Sequence, residues 1–351
     1  MKKLLFSGEL PPKSMHGVGH SNEINISFLR KKFRVIIDEE IVPYKLHNKL
    51  SIAKTANFCK RIVRIIFLSL CNRFSYFYIV FSTSTVGALK TFILLLTFKC
   101  FNRSKVVVHI HRGDLAIFIS SKSINRLIFS MVTRLTDKYI VLSKETQDYI
   151  FRNFPNIEVA VLNNTINTEY SFEKTQKKEI SLIQFIYLSN YIEEKGILLL
   201  LEVFKDLPEN FILNCYGNFT DLTLKEKIMS FNSANILVNG PIDGESKYQK
   251  INQSDALILP SYNEGKPLVL LEAMSVGTVF IASNVGYISE IVYDNYPYLY
   301  YPNNKNELRK SIIQFSNDKK TQQISKVLYK RYKALFSHEV HRKRLLEVFN
   351  E

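Results

Sequence analysis

Two carboxylates with seven residues between them, Glu264 and Glu272, frame the segment richest in chemistry. It runs Pro260-Ser261-Tyr262-Asn263-Glu264-Gly265-Lys266-Pro267-Leu268 and continues through Glu272-Ala273-Met274 to Gly277. The apolar run Ala256–Leu259 leads into it, Asn263 to Gly265 make a turn, and Pro267 suits the first position of a helix that Gly277 ends. The amides of Gly265 to Leu268 would then lie at a helix N-terminus, which favours a diphosphate or the polar groups of a sugar. Carboxylates at the helix mouth and on its first turns can accept hydrogen bonds from sugar and ribose hydroxyls, as an acidic residue grips ribose in dinucleotide folds.

Four further segments follow apolar runs. Leu188-Ser189-Asn190-Tyr191-Ile192-Glu193-Glu194-Lys195-Gly196 offers the Lys195 ammonium and the neutral donor of Asn190, and a cation there can stabilise a departing phosphate. His109-Ile110-His111-Arg112-Gly113-Asp114 ends a strand that reads as buried. Alternation sends His109 and His111 to the same side, with His111 nearer the strand end. There it positions a hydroxyl or moves a proton, unless it is simply a structural histidine; Asp114 is equally placed to cap the next segment. Between Gly8 and His20 a glycine-containing loop follows the first strand, and Gly17 and Gly19 permit close backbone approach to a ligand, while His16 and His20 read equally as solvent contacts. Val238-Asn239-Gly240-Pro241-Ile242 closes another strand.

Together these motifs resemble the retaining glycosyltransferases of family 4, within the group 1 glycosyl transferases, over most of the chain and most specifically at Glu264 and Glu272. The resemblance implies the GT-B architecture, two facing Rossmann-like domains with an interdomain cleft, and sugar transfer from a UDP- or GDP-sugar to a glycan or lipid-linked acceptor. It implies that Glu264 and Gly265 contact the donor sugar, with Lys266, Pro267 and Leu268 in the same donor turn, and that Glu272 binds ribose. Lys195 matches the family lysine that neutralises the diphosphate, and His111 the histidine beside donor sugar and acceptor. The loop of Gly17 and Gly19 would meet donor phosphate and acceptor, and the backbone of Gly240, Pro241 and Ile242 would frame the nucleobase. His111, Lys195 and Glu264 are thus the catalytic candidates. Where the family often has Gly-Arg this chain has Ser189-Asn190, so phosphate stabilisation must lean on Lys195, the helix dipole and Arg112.

The elements that must position these residues alternate along the chain. Short β-branched runs, Lys3–Ser7, Arg34–Ile37, Phe77–Phe81, Val106–Ile110, Tyr139–Leu142 and Val159–Leu162, are separated by helical stretches. The pattern restarts with Ile183–Leu188, Ile212–Tyr216, Ile236–Val238, Ala256–Leu259, Val279–Ala282 and Tyr298–Tyr300. Such alternation predicts α/β domains with parallel sheets whose ligands bind at the carboxyl ends of strands. We place a first domain on the acceptor side at residues 1–166, a linker at 167–180, a nucleotide-sugar domain at 181–320 and packing helices at 321–351.

Charge is uneven. Residues 1–170 carry 25 Lys+Arg against 11 Asp+Glu, and residues 171–351 carry 22 against 21. No acidic residue occurs from Ile41 to Gly113, while Lys45, Lys49, Lys54, Lys60, Arg61, Arg64 and Arg73 accompany apolar residues such as Phe58, Ile62, Ile65 and Leu68. A basic amphipathic segment of this kind attracts anionic lipid headgroups; the alternative is a solvated helix face. No nucleic-acid-binding signature accompanies the high charge, so nucleic acid is not an expected partner. The apolar stretches fall short of the ~20 residues needed to span a bilayer, and no signal-peptide core follows Lys2 and Lys3. Cys59, Cys71, Cys100 and Cys215 are scattered, which predicts reduced thiols and neither disulfides nor a zinc site. The expected location is cytoplasmic, peripheral on the inner face of the membrane. No Asp-x-Asp pair occurs, so we expect neither metal nor cofactor, the nucleotide sugar being substrate. An epimerase on the same fold and a non-catalytic scaffold subunit are the alternative readings.

Overall fold

The computed structural model describes residues 1–13, 17–40, 52–166, 182–219 and 221–350, with side chains from residue 55 onward in the third stretch. The expected linker 167–180, His16, Lys45, Lys49 and the side chain of Lys54 therefore lie outside the described residues. Contacts divide the chain into one unit of Met1–Asn167 with His341–Glu351 and another of Thr168–Val340.

In chain order the first unit contains β1 (Lys3–Gly8), α1 (Gly17–Leu29), β2 (Arg34–Glu39), α2 (Ile52–Cys71), β3 (Tyr76–Phe81) and α3 (Thr85–Phe101). Then come β4 (Lys105–Ile110), α4 (Leu115–Ser121), α5 (Ser123–Leu135), β5 (Lys138–Val141), α6 (Lys144–Asn153) and β6 (Glu158–Val161). The sheet order is β2-β1-β3-β4-β5-β6, with every pairing parallel. Helices cover both faces, so the central strands can be apolar at every position. Period-two alternation sorts them: Leu5, Phe77 and Ile79 join Ile65, Leu94 and Val132 on one side. Leu4, Phe6, Tyr76 and Tyr78 join Ile24, Phe28 and the C-terminal Leu345 and Phe349 on the other.

The second unit contains β7 (Ile183–Leu188), a 3₁₀ turn at Glu193–Lys195, α7 (Ile197–Phe204), β8 (Phe211–Tyr216), α8 (Leu222–Met229), β9 (Ile236–Asn239) and α9 (Gly244–Gln253). These are followed by β10 (Ala256–Leu259), α10 (Leu268–Ser275), β11 (Val279–Ser283), α11 (Ile288–Ile291), β12 (Leu299–Tyr300), α12 (Lys305–Asn317) and α13 (Thr321–Leu335); α14 (His338–Val348) starts in this unit, and its residues from His341 onward belong to the first. The sheet order β12-β11-β10-β7-β8-β9, again parallel throughout, puts the reversal of winding between β7 and β10. Each expected strand is present, with ends shifted by a residue or two.

The C-terminal helices divide their packing. α13 lies against α10 and β11, whereas the chain from His341 onward belongs to the first unit, where Leu345, Val348 and Phe349 enter the core.

Candidate active site

In the second unit the turns after β7 and β10 flank the point where the sheet reverses its winding, the position at which open α/β sheets hold ligands. Lys195 Nζ and Glu264 Oε1 meet there at 2.7 Å; the lysine side chain is 27% exposed and the carboxylate 9%. Glu272, on α10, pairs through Oε1 with Lys247 Nζ of α9, also at 2.7 Å. Each glutamate thus meets, in a sheltered place, the ammonium of a lysine from a separate element. Tyr187 beneath them is held protonated well above the usual phenol range, chiefly by burial, with the negative charge of Glu264 among the lesser causes.

Two glycines bring the turns together. Gly196 has φ 68° and a Cβ on it would stand 2.0 Å from the carbonyl oxygen of Pro260. At Gly217 the obstacle is the carbonyl oxygen of Ser189, 2.0 Å away. Only hydrogen can occupy these positions. Two backbone bonds complete the scaffold: Tyr262 N donates to Glu194 O at 2.9 Å, and Tyr287 N to Gly265 O at 3.2 Å.

The helix α10 begins at Leu268, so Pro267, with φ −67° and ψ 130°, stands just before it and not in its first turn. After α10, Gly277 at φ 70° donates to Met274 O at 3.2 Å while Thr278 donates to Ala273 O at 2.8 Å, the paired bonds of a Schellman ending. The Lys266 side chain is 3% exposed and lies 2.8 Å from Glu290 Oε2, so its ammonium ties the turn to α11. Asn190 is half-buried and its carbonyl accepts from the Tyr187 hydroxyl at 3.3 Å. Gly240 and Pro241 are exposed and Ile242 half-buried beyond β9, and nothing lies within 4 Å of a Cβ on Gly240.

In the first unit His111 is buried just beyond β4, and its Nε2 lies 3.0 Å from Asn22 Oδ1 of α1. The Asn22 amide nitrogen donates to Glu9 O at 2.9 Å, so Oδ1 faces the histidine, Nε2 carries the proton and Nδ1 is the basic nitrogen. Burial first, and the neighbouring His341 second, lower the His111 pKa to about 3. It is a neutral imidazole suited to orienting a hydroxyl.

Against it lies His109, the ring centroids 3.7 Å apart and the planes tilted by 32°. His109 Nδ1 meets the Tyr78 hydroxyl at 2.6 Å, which accepts from Asn25 Nδ2 at 3.0 Å. Asn25 Oδ1 lies 2.6 Å from Nε2 of His341, whose Nδ1 donates to Asn163 O at 2.7 Å. His109 Nε2 is buried without a hydrogen-bond partner. Gly17 and Gly19 fall within the first turn of α1, so they belong to the helix that carries Asn22 and Asn25. Asp114 occupies the N-cap position of α4 but makes no capping bond; its carboxylate holds Arg112 at 2.7 Å and accepts from Thr83 at 2.8 Å.

Sequence reasoning missed Lys247, Glu290, Asn22, Asn25 and Tyr78. Gly196 carried a signal, a glycine after a charged turn and before an apolar helix; the others had none, because their partners lie in remote elements.

Comparison with known proteins bears on the family and the fold. Residues 169–330 match the model of a family described as glycosyl transferases group 1. An uncharacterized glycosyltransferase of Methanocaldococcus jannaschii is 26% identical over 239 residues, 66% of this chain and 64% of that one. Alpha-galactosylglucosyldiacylglycerol synthase of Streptococcus pneumoniae is 26% identical over 200 residues, 52% of this chain and 54% of its own. Both matches span less than two thirds of the relative's length. Among solved structures, sucrose-phosphate synthase of Thermosynechococcus elongatus superposes with TM-score 0.79 at 15% identity, covering 99% of this chain and 98% of its own. Anabaena HepE in complex with UDP-glucose does so with TM-score 0.75 at 15% identity, covering 99% of both. These likenesses establish the fold as that of the GT-B neighbours, two six-stranded parallel sheets with flanking helices.

Proposed function

We propose that the chain is a retaining glycosyltransferase that moves a sugar from a nucleotide-diphosphate donor to a glycan or lipid-linked acceptor, in surface polysaccharide or glycolipid synthesis. The observation that carries this reading is the Lys195–Glu264 pair at the reversal of the second sheet, inside the segment matched by the family model. Glu264 and the amides of Gly265 to Leu268 hold the donor sugar and its phosphates, with Asn190 as a neutral donor; Glu272, oriented by Lys247, holds the ribose. Lys195 turns from Glu264 to the diphosphate when donor binds. The backbone at Gly240, Pro241 and Ile242 frames the base, and Gly17, Gly19 and His111 serve the acceptor side. The acceptor hydroxyl attacks on the face from which the diphosphate departs, and a diphosphate oxygen takes its proton. No metal takes part in this scheme.

The same reading seats the first unit on an anionic membrane surface at the cytoplasmic face. On α2, Val63, Phe67 and Leu70 are 65, 63 and 66% exposed, beside exposed Lys60 and Arg64. Each cation near such a surface contributes about 1 kcal/mol. Arg61 does not belong to this face: its guanidinium pairs with Asp38 at 3.0 Å and Glu40 at 3.2 Å. No helix among the described residues is long and apolar enough to cross a membrane. The pneumococcal relative, whose name includes a diacylglycerol product, fits a lipid-linked acceptor.

The test is a metal-free thermal-shift panel of UDP, GDP, ADP and their sugar conjugates on wild type and Glu272→Ala. A ligand at a hundred times its Kd adds about 2.7 kcal/mol. One nucleotide should stabilise the wild type and not the variant; no shift with any of them would move the scaffold reading ahead. Product anomeric configuration, read by NMR, tests retention.

A further inference from the structure

We infer that the cleft where α2 and α3 end is a binding site for the phosphate of an anionic phospholipid headgroup. The cleft, about 470 Å³, is lined by Ser69, Leu70, Arg73, Phe101, Arg103 and neighbouring residues. It lies at the amino ends of β3 and β4, away from the carboxyl ends where the candidate active-site residues gather.

The cleft holds donor side chains without acceptors. Its acceptors are in use: Leu68 O takes Asn72 Nδ2 at 3.1 Å, Phe98 O takes Asn102 N at 2.9 Å, and Asn72 O takes Asn102 Nδ2 at 3.2 Å. Lys99 Nζ donates to Ser104 O at 3.0 Å, and Lys3 Nζ to Asn72 Oδ1 at 2.7 Å. Three of its donor side chains, among the described residues, have no such use. Among the described residues neither Arg73 nor Arg103 has a carboxylate partner, and the Ser69 hydroxyl is buried without a hydrogen-bond partner. Two guanidiniums and a hydroxyl with no internal acceptor match an oxyanion, and a phosphate can accept from both forks. Two helix C-termini would ordinarily repel an anion; here Asn72 engages one terminal carbonyl of α2, Leu68 O, and Asn102 one of α3, Phe98 O, and the two guanidiniums supply the opposing charge.

The rim identifies the source of the phosphate. Leu70 is 66% exposed and Phe101 46%, and Phe67 lies one turn before Leu70. An anion site rimmed by exposed apolar side chains suits an amphiphile at a bilayer interface, with the headgroup on the guanidiniums and its glycerol and acyl portion on the rim. The inference rests on the proposed seat on an anionic membrane and deepens it by naming the headgroup contact.

Isothermal titration of the full chain with dihexanoyl-phosphatidylglycerol as soluble monomer tests the site. Arg73→Gln/Arg103→Gln should weaken binding at least tenfold, whereas Lys122→Gln/Arg126→Gln, an equal charge change on exposed positions outside the cleft, should alter it less than threefold. Inorganic phosphate should bind at least tenfold more weakly than the lipid. No lipid binding, equal losses in the two double variants, or equal affinity for inorganic phosphate would each overturn the proposal, the last by making a free ion the ligand. Flotation with phosphatidylglycerol vesicles separates the two readings: a wild type that binds the monomer in the cleft but no vesicles supports the site and overturns the membrane seat.

Discussion

Gly286 lies against the peptide carbonyl of Glu264: a Cβ on the glycine, at φ 55°, would stand 1.9 Å from that oxygen. The chain after β11 therefore holds the carboxylate-bearing turn after β10 through a contact that only glycine allows. Gly286→Ala is expected to cost at least about 2 kcal/mol, roughly half from the left-handed backbone and the rest from displacing the turn. Gly240→Ala, with nothing within 4 Å, should stay within about 0.5 kcal/mol. Denaturant unfolding measures both, and equal changes would show that close contact does not hold the turn.

Lys195 and Glu264 pair directly, so each substitution has a structural and a binding consequence that a cycle can separate. Lys195→Met leaves a sheltered carboxylate unpaired and is expected to cost about 1–3 kcal/mol. Adding Glu264→Gln should restore most of that stability without restoring nucleotide affinity, because the ammonium that meets the diphosphate is still missing. Unfolding curves and nucleotide titrations on the same four proteins check this. Recovery of affinity along with stability would mean that Lys195 acts only through the pair.

Much of this was legible in the sequence, for identifiable reasons. Strands buried on both faces, such as Val106–Ile110, announce themselves as unbroken apolar runs, and Gly277 marks the end of its helix. Glu264 and Glu272 were legible because their spacing is local. Their pairing with lysines was not: Lys247 reaches Glu272 from another helix, and Lys195, itself a candidate in the sequence, stands 69 residues before Glu264. On α1, Ser21, Asn22 and Asn25 are polar yet buried, satisfied by Asn164, Glu9, Tyr78 and His341, and nothing local in the sequence marks partners so remote. The spacing of Leu345 and Phe349 indicates a packing face without saying which sheet receives it.

The Tyr78 hydroxyl joins Asn25 to His109, and Asn25 joins it to His341, 316 residues away from that asparagine. Tyr78→Phe leaves two buried polar nitrogens short of a partner, at an expected cost of about 1–3 kcal/mol. Combined with His341→Leu, the losses should be non-additive by at least about 0.5 kcal/mol, since both break one connected chain. Additive losses in denaturant titrations would show two independent bonds.

The same cluster sets a pH dependence. Burial lowers His111 to about 3 and holds His109 well below its ordinary value, with the neighbouring histidine charges adding to both. Released on unfolding, each returns to about 6.5. Between those limits the unfolded chain binds more protons than the folded one, so stability rises with pH. For His111 the contribution is complete above about pH 6.5 and is lost progressively toward pH 3, at about 1.4 kcal/mol per pH unit, and His109 acts in the same direction. For His111 alone that is about 2 kcal/mol between pH 6.5 and 5. Urea midpoints from pH 8 to 4.5 should be flat above 6.5 and fall below it. His111→Asn should flatten the acid limb by about one proton's slope, and a limb unchanged in that variant would place the acid sensitivity elsewhere.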